Sequence, residues 1–247
     1  MIWKLIQKDF RENYITSTVL VGVITVISVY SSLRKTLTPS EMAIITFVIA
    51  GLGLVLLLFY SIYRGFSCIR KEKEKNTLEF LMSLPAGGLE VVGAKFLAFF
   101  FEAFLLALTI YVVSTFPALR GLAGELILPH DFGRLMLILL YVVFAMLLGA
   151  FFFFIVFQLF EILNLSLKVK GFLWRVILFF AFVYFTGRFF IFAKSIFRFL
   201  PVKVYEISIF NEVVNWGADY QGLAAGVLVS LTYLGVSILL YNKRVEV

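Results

Sequence analysis

The side chains able to do covalent or metal chemistry are few, and their scarcity excludes more than their presence suggests. There is one cysteine, Cys68, and one histidine, His130. A single Cys excludes an internal disulfide and any multi-cysteine metal site, and a single His excludes H-E-x-x-H and His-rich zinc or di-iron sets. No G-x-x-x-x-G-K-[ST] or G-x-S-x-G occurs, so the chain holds neither a P-loop nor a nucleophile elbow. What remains is two polar residues inside apolar runs and one charged segment between two such runs.

Glu102 lies mid-way along an apolar run. An ionised carboxylate at the centre of a bilayer costs about 2.5–3.5 kcal/mol on insertion scales. Two readings stand: a group facing a cavity or cargo, or a hydrogen-bonded structural carboxyl within a bundle. Gln158 is a second candidate for a cavity, with an interfacial position as its alternative.

The charged segment is Lys71 to Glu90, KEKEKNTLEFLMSLPAGGLE. The sequence predicts a short helix here, capped by Asn76 with Glu79 three residues on. Leu78, Phe80, Leu81, Met82 and Leu84 cover most of its circumference, and Glu79 and Ser83 leave a narrow polar stripe. Pro85 and Gly87-Gly88 end it. A loop helix this apolar calls for a partner to bury it.

The elements that must carry this segment are membrane spans. Of the 247 residues 62% are apolar and 18% aromatic, with mean hydropathy +1.02, against about 45–50% apolar in ordinary globular chains. The excess falls into runs near or above the ~20 residues that cross a bilayer. Six spans are expected, at 15–33, 42–63, 89–116, 134–160, 172–192 and 222–241. Residues 1–13 place Ile2, Trp3, Leu5, Ile6 and Phe10 on one side and Lys4, Gln7, Lys8 and Arg11 on the other. That is the pattern of a helix lying along the headgroups. Between the last two spans, residues 193–221 repeat Ile207, Phe210, Val213 and Val214 at helical spacing, so interfacial or re-entrant helices are expected there. The fold class is an all-α polytopic membrane protein forming one transmembrane domain.

The net charge of +7 comes from basic residues flanking apolar runs, which topology and lipid headgroups explain without nucleic acid. Lys4, Lys8, Arg11, Arg64, Arg70, Lys71, Lys73, Lys75, Lys168, Lys170, Arg175, Lys243 and Arg244 fall on one side when both termini are cytoplasmic, with Lys95 snorkelling toward them. This bias places Lys71–Glu90 in the cytoplasm of a plasma-membrane protein.

The stretch KEKEKNTLEFLMSLPAGGLEVVGAKFLA resembles the first cytoplasmic loop of the ABC type-2 permease family. Thr77, Leu78, Glu79, Leu81, Pro85, Glu90, Val91, Val92, Ala94 and Lys95 match the family's pattern as they stand. Ala86-Gly87-Gly88 departs from it, where relatives carry Val followed by polar or basic residues. The resemblance implies that residues 71–85 are a coupling helix, with Asn76, Thr77, Leu78, Glu79, Phe80, Leu81, Leu84 and Pro85 docking on a separate ATP-hydrolysing subunit. Lys168 and Lys170 in the second cytoplasmic turn would make a second contact. Six spans enclose little room, so the pathway is expected to form with a second permease copy or a paralogue. ATP and magnesium would sit on the partner, none bound by this chain. The expected function is then the non-enzymatic permease subunit of an exporter moving an amphipathic or hydrophobic cargo (peptide, lipid or toxic small molecule). The alternative is a non-transporting membrane scaffold or sensor that recruits a cytoplasmic partner through the same helix.

Overall fold

A computed structural model describes residues 2–32, 38–74, 87–123, 129–167, 171–209 and 212–245. Seven helices and one β-hairpin occur among them. They are α1 (Ile2–Ser32), α2 (Pro39–Glu74), α3 (Gly88–Ser114), α4 (Phe116–Ala123), α5 (Pro129–Ser166), α6 (Phe172–Ile196), β1 (Val202–Ile209), β2 (Glu212–Asp219) and α7 (Tyr220–Val245). Six helices are long and apolar enough to cross a membrane: all but α4. This is the architecture of a multi-pass membrane protein.

Three elements differ from expectation. The first thirteen residues are not a separate interfacial helix, because α1 runs unbroken for 31 residues, about 46 Å at 1.5 Å per residue. No Pro or Gly interrupts it near residue 14, and Asn13 Nδ2 donates to the Asp9 carbonyl at 2.7 Å, inside the helix. Likewise α2 does not stop at Tyr63 but continues through Glu74, so Lys71–Glu74 form its last turn rather than the start of a new helix. The third is the segment before α7. Its described residues hold no interfacial or re-entrant helix; β1 and β2 pair antiparallel, with Val202 opposite Asp219 and Ile209 opposite Glu212. Val202, Val204, Tyr205, Ile207 and Ile209 on one strand and Val213, Val214 and Trp216 on the other are residues that favour a pleated surface. The apparent helical spacing of Ile207 with Val213 and Val214 arose from counting across the connection between two strands.

The start of α2 shows how locally the sequence fixes an end. Thr38-Pro39-Ser40-Glu41 is a capping box with proline at the first helical position. Glu41 Oε2 accepts from the Thr38 backbone N–H at 2.7 Å and its hydroxyl at 2.9 Å. These two donors hold the Glu41 carboxyl below the usual carboxylate range.

The bundle is built around α2, α3 and α5, the most buried of the six long helices; α1, α6 and α7 lie outside them. α2 packs most extensively on α5, α1 on α3, and α7 on both α5 and α6. The core joins Leu54, Leu57 and Ile69 of α2, Phe99 and Ile110 of α3, and Leu139 and Phe154 of α5. Phe99 and Phe154 stack with ring centroids 4.2 Å apart and planes 5° from parallel. The Phe151–Phe154 run is therefore mostly packing bulk, with Phe151 and Phe154 buried and Phe153 against Phe157. Where α2 crosses α5, Gly65 is required: a Cβ there would fall 2.7 Å from Phe157 Cβ and 2.8 Å from the Phe154 carbonyl oxygen.

Candidate functional site

Polar residues recur every four positions along two helices. On α1 the series is Asp9, Asn13 and Ser17; on α2 it is Tyr60, Arg64, Cys68 and Glu72. Four residues make about one turn of a helix, so each series forms a stripe along one face. On α3, Lys95 and Glu102 stand seven apart and share a face by the same rule. Packing the amino-terminal halves of α1 and α3 against the carboxy-terminal half of α2 brings these three stripes into one buried network.

Its centre is Arg64, whose side chain is 1% exposed. The guanidinium grips Glu102 with two bonds, Nε to Oε2 at 3.0 Å and Nη2 to Oε1 at 3.1 Å, and reaches Asp9 Oδ2 with Nη2 at 3.3 Å. The Tyr60 hydroxyl donates to Glu102 Oε2 at 2.7 Å and lies 3.0 Å from Ser17 Oγ. From Asp9 the chain continues through Lys95, whose Nζ donates to Asp9 Oδ1 at 3.4 Å and Glu72 Oε1 at 3.2 Å. Lys8 Nζ closes it with bonds of 3.0 Å to both Glu72 oxygens. Lys71 Nζ donates to Asn13 Oδ1 at 3.0 Å and lies over the Tyr63 ring. Three cations (Lys8, Arg64, Lys95) thus face three carboxylates (Asp9, Glu72, Glu102), and the planar two-pronged contact is the geometry for which Arg is suited.

The network spans about 18 Å along α2, from Tyr60 to Glu72 at 1.5 Å per residue. Glu102 stands about 21 Å along α3 from Gly88 by the same measure, well inside a span. Charges at such depth must be paired, and these are. The space among Leu5, Lys8, Asp9, Glu72, Val91 and Lys95 is about 10 Å³, at the lower limit for one water. No cargo fits there; the network ties helices together.

Of the expected site residues, Glu102 is placed among helices and faces Tyr60 and Arg64, not a cavity. Lys95 does not snorkel to the surface; it is buried between two carboxylates, because α1 covers it. Gln158 is fully buried on α5, and among the described residues neither its Oε1 nor its Nε2 has a hydrogen-bond partner. Asn76, Thr77, Leu78, Glu79, Phe80, Leu81, Leu84 and Pro85, and Lys168 and Lys170, lie outside the described residues. Asp9, Arg64 and Glu72 were missed as site residues, although the four-residue repeats that align them are visible in the sequence. Cys68 is buried and its Sγ lies 3.2 Å from the Gly65 carbonyl oxygen, which leaves it no access to a reactant. Among the described residues no cluster of His, Cys, Asp and Glu could hold a metal ion.

The residues on either side of 75–86 are both fixed to the bundle. No family model matches the chain, and no curated protein matches it. On the amino-terminal side, Glu72 is held by Lys8 and Lys95. On the other, the Gly88 N–H at the start of α3 donates to Asn242 Oδ1 of α7. Gly88 is needed for that approach: a Cβ would lie 2.7 Å from Asn242 Oδ1 and from the Ile238 carbonyl oxygen. Four helices, α1, α2, α3 and α7, therefore meet at the base of one segment.

Proposed function

We propose that this chain is the permease subunit of an ATP-driven exporter of the ABC type-2 kind. The reading rests on the 71–95 segment, whose charged lead, T-L-E-x-L run, Pro85 and closing E-V-V-x-A-K match that family's coupling loop residue by residue. The fixed bases of the segment support it. A push delivered there reaches α2 and α1 through Glu72, Lys8 and Lys95, and α3 and α7 through Gly88 and Asn242. Both termini are cytoplasmic, so a soluble ATPase carrying ATP and magnesium can reach residues Asn76–Pro85, with Lys168 and Lys170 as a second contact. The pathway forms between this chain and a second copy or a paralogue, since the bundle is filled at its core by Phe99, Phe154 and Leu57. The cargo is amphipathic or hydrophobic, because the spans carry few charges that are not already paired.

The test is co-purification. Leu78→Asp or Phe80→Asp is expected to abolish retention of the proposed ATPase subunit, and ATP-driven flux in vesicles is expected to stop with it. Retention of the ATPase at wild-type stoichiometry by both variants refutes the docking. Retention in the wild type without any ATP-dependent flux refutes the exporter and leaves a scaffold.

A further inference from the structure

Below the base of the hairpin, α3, α5, α6 and α7 part to leave an apolar groove of about 390 Å³, within the ~300–1,000 Å³ of ligand sites. Phe96, Phe152 and Phe190 form its bulky walls, and α7 lines it from Gly222 through Gly226 to Leu234. That stretch of α7 is about 18 Å long at 1.5 Å per residue, close to the ~15 Å depth of one leaflet's hydrocarbon. Phe152 and Phe190 close one side edge to face, with centroids 6.0 Å apart. Opposite them Gly226 leaves the slot open; the first atom a Cβ there would meet is Phe190 Cε2, at 3.9 Å.

The hairpin end of the groove is polar. Gly222 touches Asp219: its N–H donates to Asp219 Oδ1 at 2.9 Å, and a Cβ on it would fall 2.7 Å from Oδ2. Asp219 Oδ2 in turn pairs with Lys194 Nζ at 2.6 Å, and these side chains are 45% and 40% exposed. A narrow apolar slot thus runs directly to one accessible anion and one accessible cation.

We propose that this groove binds one acyl chain of a membrane phospholipid whose headgroup carries both a phosphate and an ammonium. The phosphate bonds Lys194 and the ammonium bonds Asp219, each exchanging its present partner for an opposite charge on the lipid. A headgroup with the phosphate alone would satisfy Lys194 and leave Asp219 facing a like charge. The apolar length of the slot and the anion and cation at its end follow the order of chain and headgroup in such a lipid. The inference stands whether or not the chain transports anything.

The test uses the full chain in lipid nanodiscs with no ATPase present. A phosphoethanolamine lipid bearing a photoreactive diazirine in mid-chain is cross-linked, and the labelled peptides are mapped. Labelling is expected to concentrate at Phe152, Phe190 and Leu223, at least tenfold over the outward-facing Phe180 and Leu239. Gly226→Phe should remove the groove labelling and leave that at Phe180 unchanged. The wild type should also favour the phosphoethanolamine lipid over its phosphoglycerol counterpart about fivefold, and Asp219→Asn, which can still cap α7, should abolish that preference. Equal labelling of groove and outward positions means annular lipid only and overturns the proposal. So does a monodisperse Gly226→Phe variant with wild-type groove labelling. Should that variant not fold, the Asp219→Asn preference decides, and a preference retained overturns the headgroup assignment.

Discussion

Replacing Arg64 by methionine removes the centre of the ion network and keeps an apolar side chain of fair length. Among the described residues Glu102 then retains only the Tyr60 hydroxyl, and Asp9 retains only Lys95 at 3.4 Å. Breaking a buried pair from one side costs about 3–5 kcal/mol, because a carboxylate is left without its counter-charge. For a chain of this size, where 1 kcal/mol moves a melting midpoint by about 2–4 °C, the expected fall is on the order of 10 °C. Adding Glu102→Leu should reverse much of it. The remaining charges, Lys8 and Lys95 against Asp9 and Glu72, are balanced, and Tyr60 keeps Ser17 Oγ at 3.0 Å. The double variant is therefore expected to be more stable than Arg64→Met alone, with a coupling of about 2–3 kcal/mol between the two sites. Midpoints of the purified chain in one detergent, read by loss of the monodisperse peak on heating, give all four corners of the cycle. Additive losses, or an Arg64→Met loss below about 1 kcal/mol, would refute the reasoning.

Gln158→Leu should stabilise the chain by about 1–3 kcal/mol, since a buried amide whose oxygen and nitrogen both lack partners carries its full desolvation cost; the same melting measurement reads it. At the other pole the Asp219 carboxyl is held below the usual range, first by the Lys194 hydrogen bond and then by the Gly222 N–H. A depressed folded value means stability is present above the unfolded value of about 3.9 and lost as pH falls through the folded one. Exchange of the Gly222 amide is accordingly expected to rise relative to neutral-pH controls as pH drops below about 4. Asp219→Asn should lack that step; the same step in the variant would assign it to another group.

The six spans were legible because a run of apolar residues near the bilayer's length has few other uses, and each run stands on its own in the sequence. The ion network was not legible in that way. Glu102 read alone is an awkward intramembrane carboxyl, Arg64 read alone is a flanking charge, and Lys95 read alone reaches for the surface. Their true partners come from three helices, and only the packing of α1 across α2 and α3 joins the stripes. The four-residue spacing of Asp9, Asn13 and Ser17 was a signal, but it was masked by the apolar residues of the same stretch, which imitate an interfacial helix. The hairpin failed for a different reason: β-branched residues on two strands, counted through their connection, produce a helical interval by coincidence. Strand propensity in Val202–Ile209 was the better guide.

The position of α1 follows from what lipid does not provide. Between membrane helices there is little hydrophobic driving force, since acyl chains are as apolar as leucine, so association depends on packing and polar contacts. Of the six long helices α1 has the lowest hydropathy, 1.6, and one of the smallest buried shares. Its buried face is correspondingly polar for much of its length: Asp9, Asn13 and Ser28, with Ser28 Oγ donating to the Val113 carbonyl at 2.6 Å. Ile6 and Ile24 add apolar contact, and Ile6 meets Ala94 and Ala98 of α3. Asp9, Lys8 and Asn13 add the charged and amide contacts that hold the amino-terminal half of α1. Those same contacts end on Glu72, Lys95 and Lys71, next to the 75–86 segment, so the helix least committed by oil is the one held by charges that lie closest to that segment. A shift at the segment would therefore move α1 before it moved α5, whose hold on α2 rests on the close crossing at Gly65 and on stacked phenylalanines.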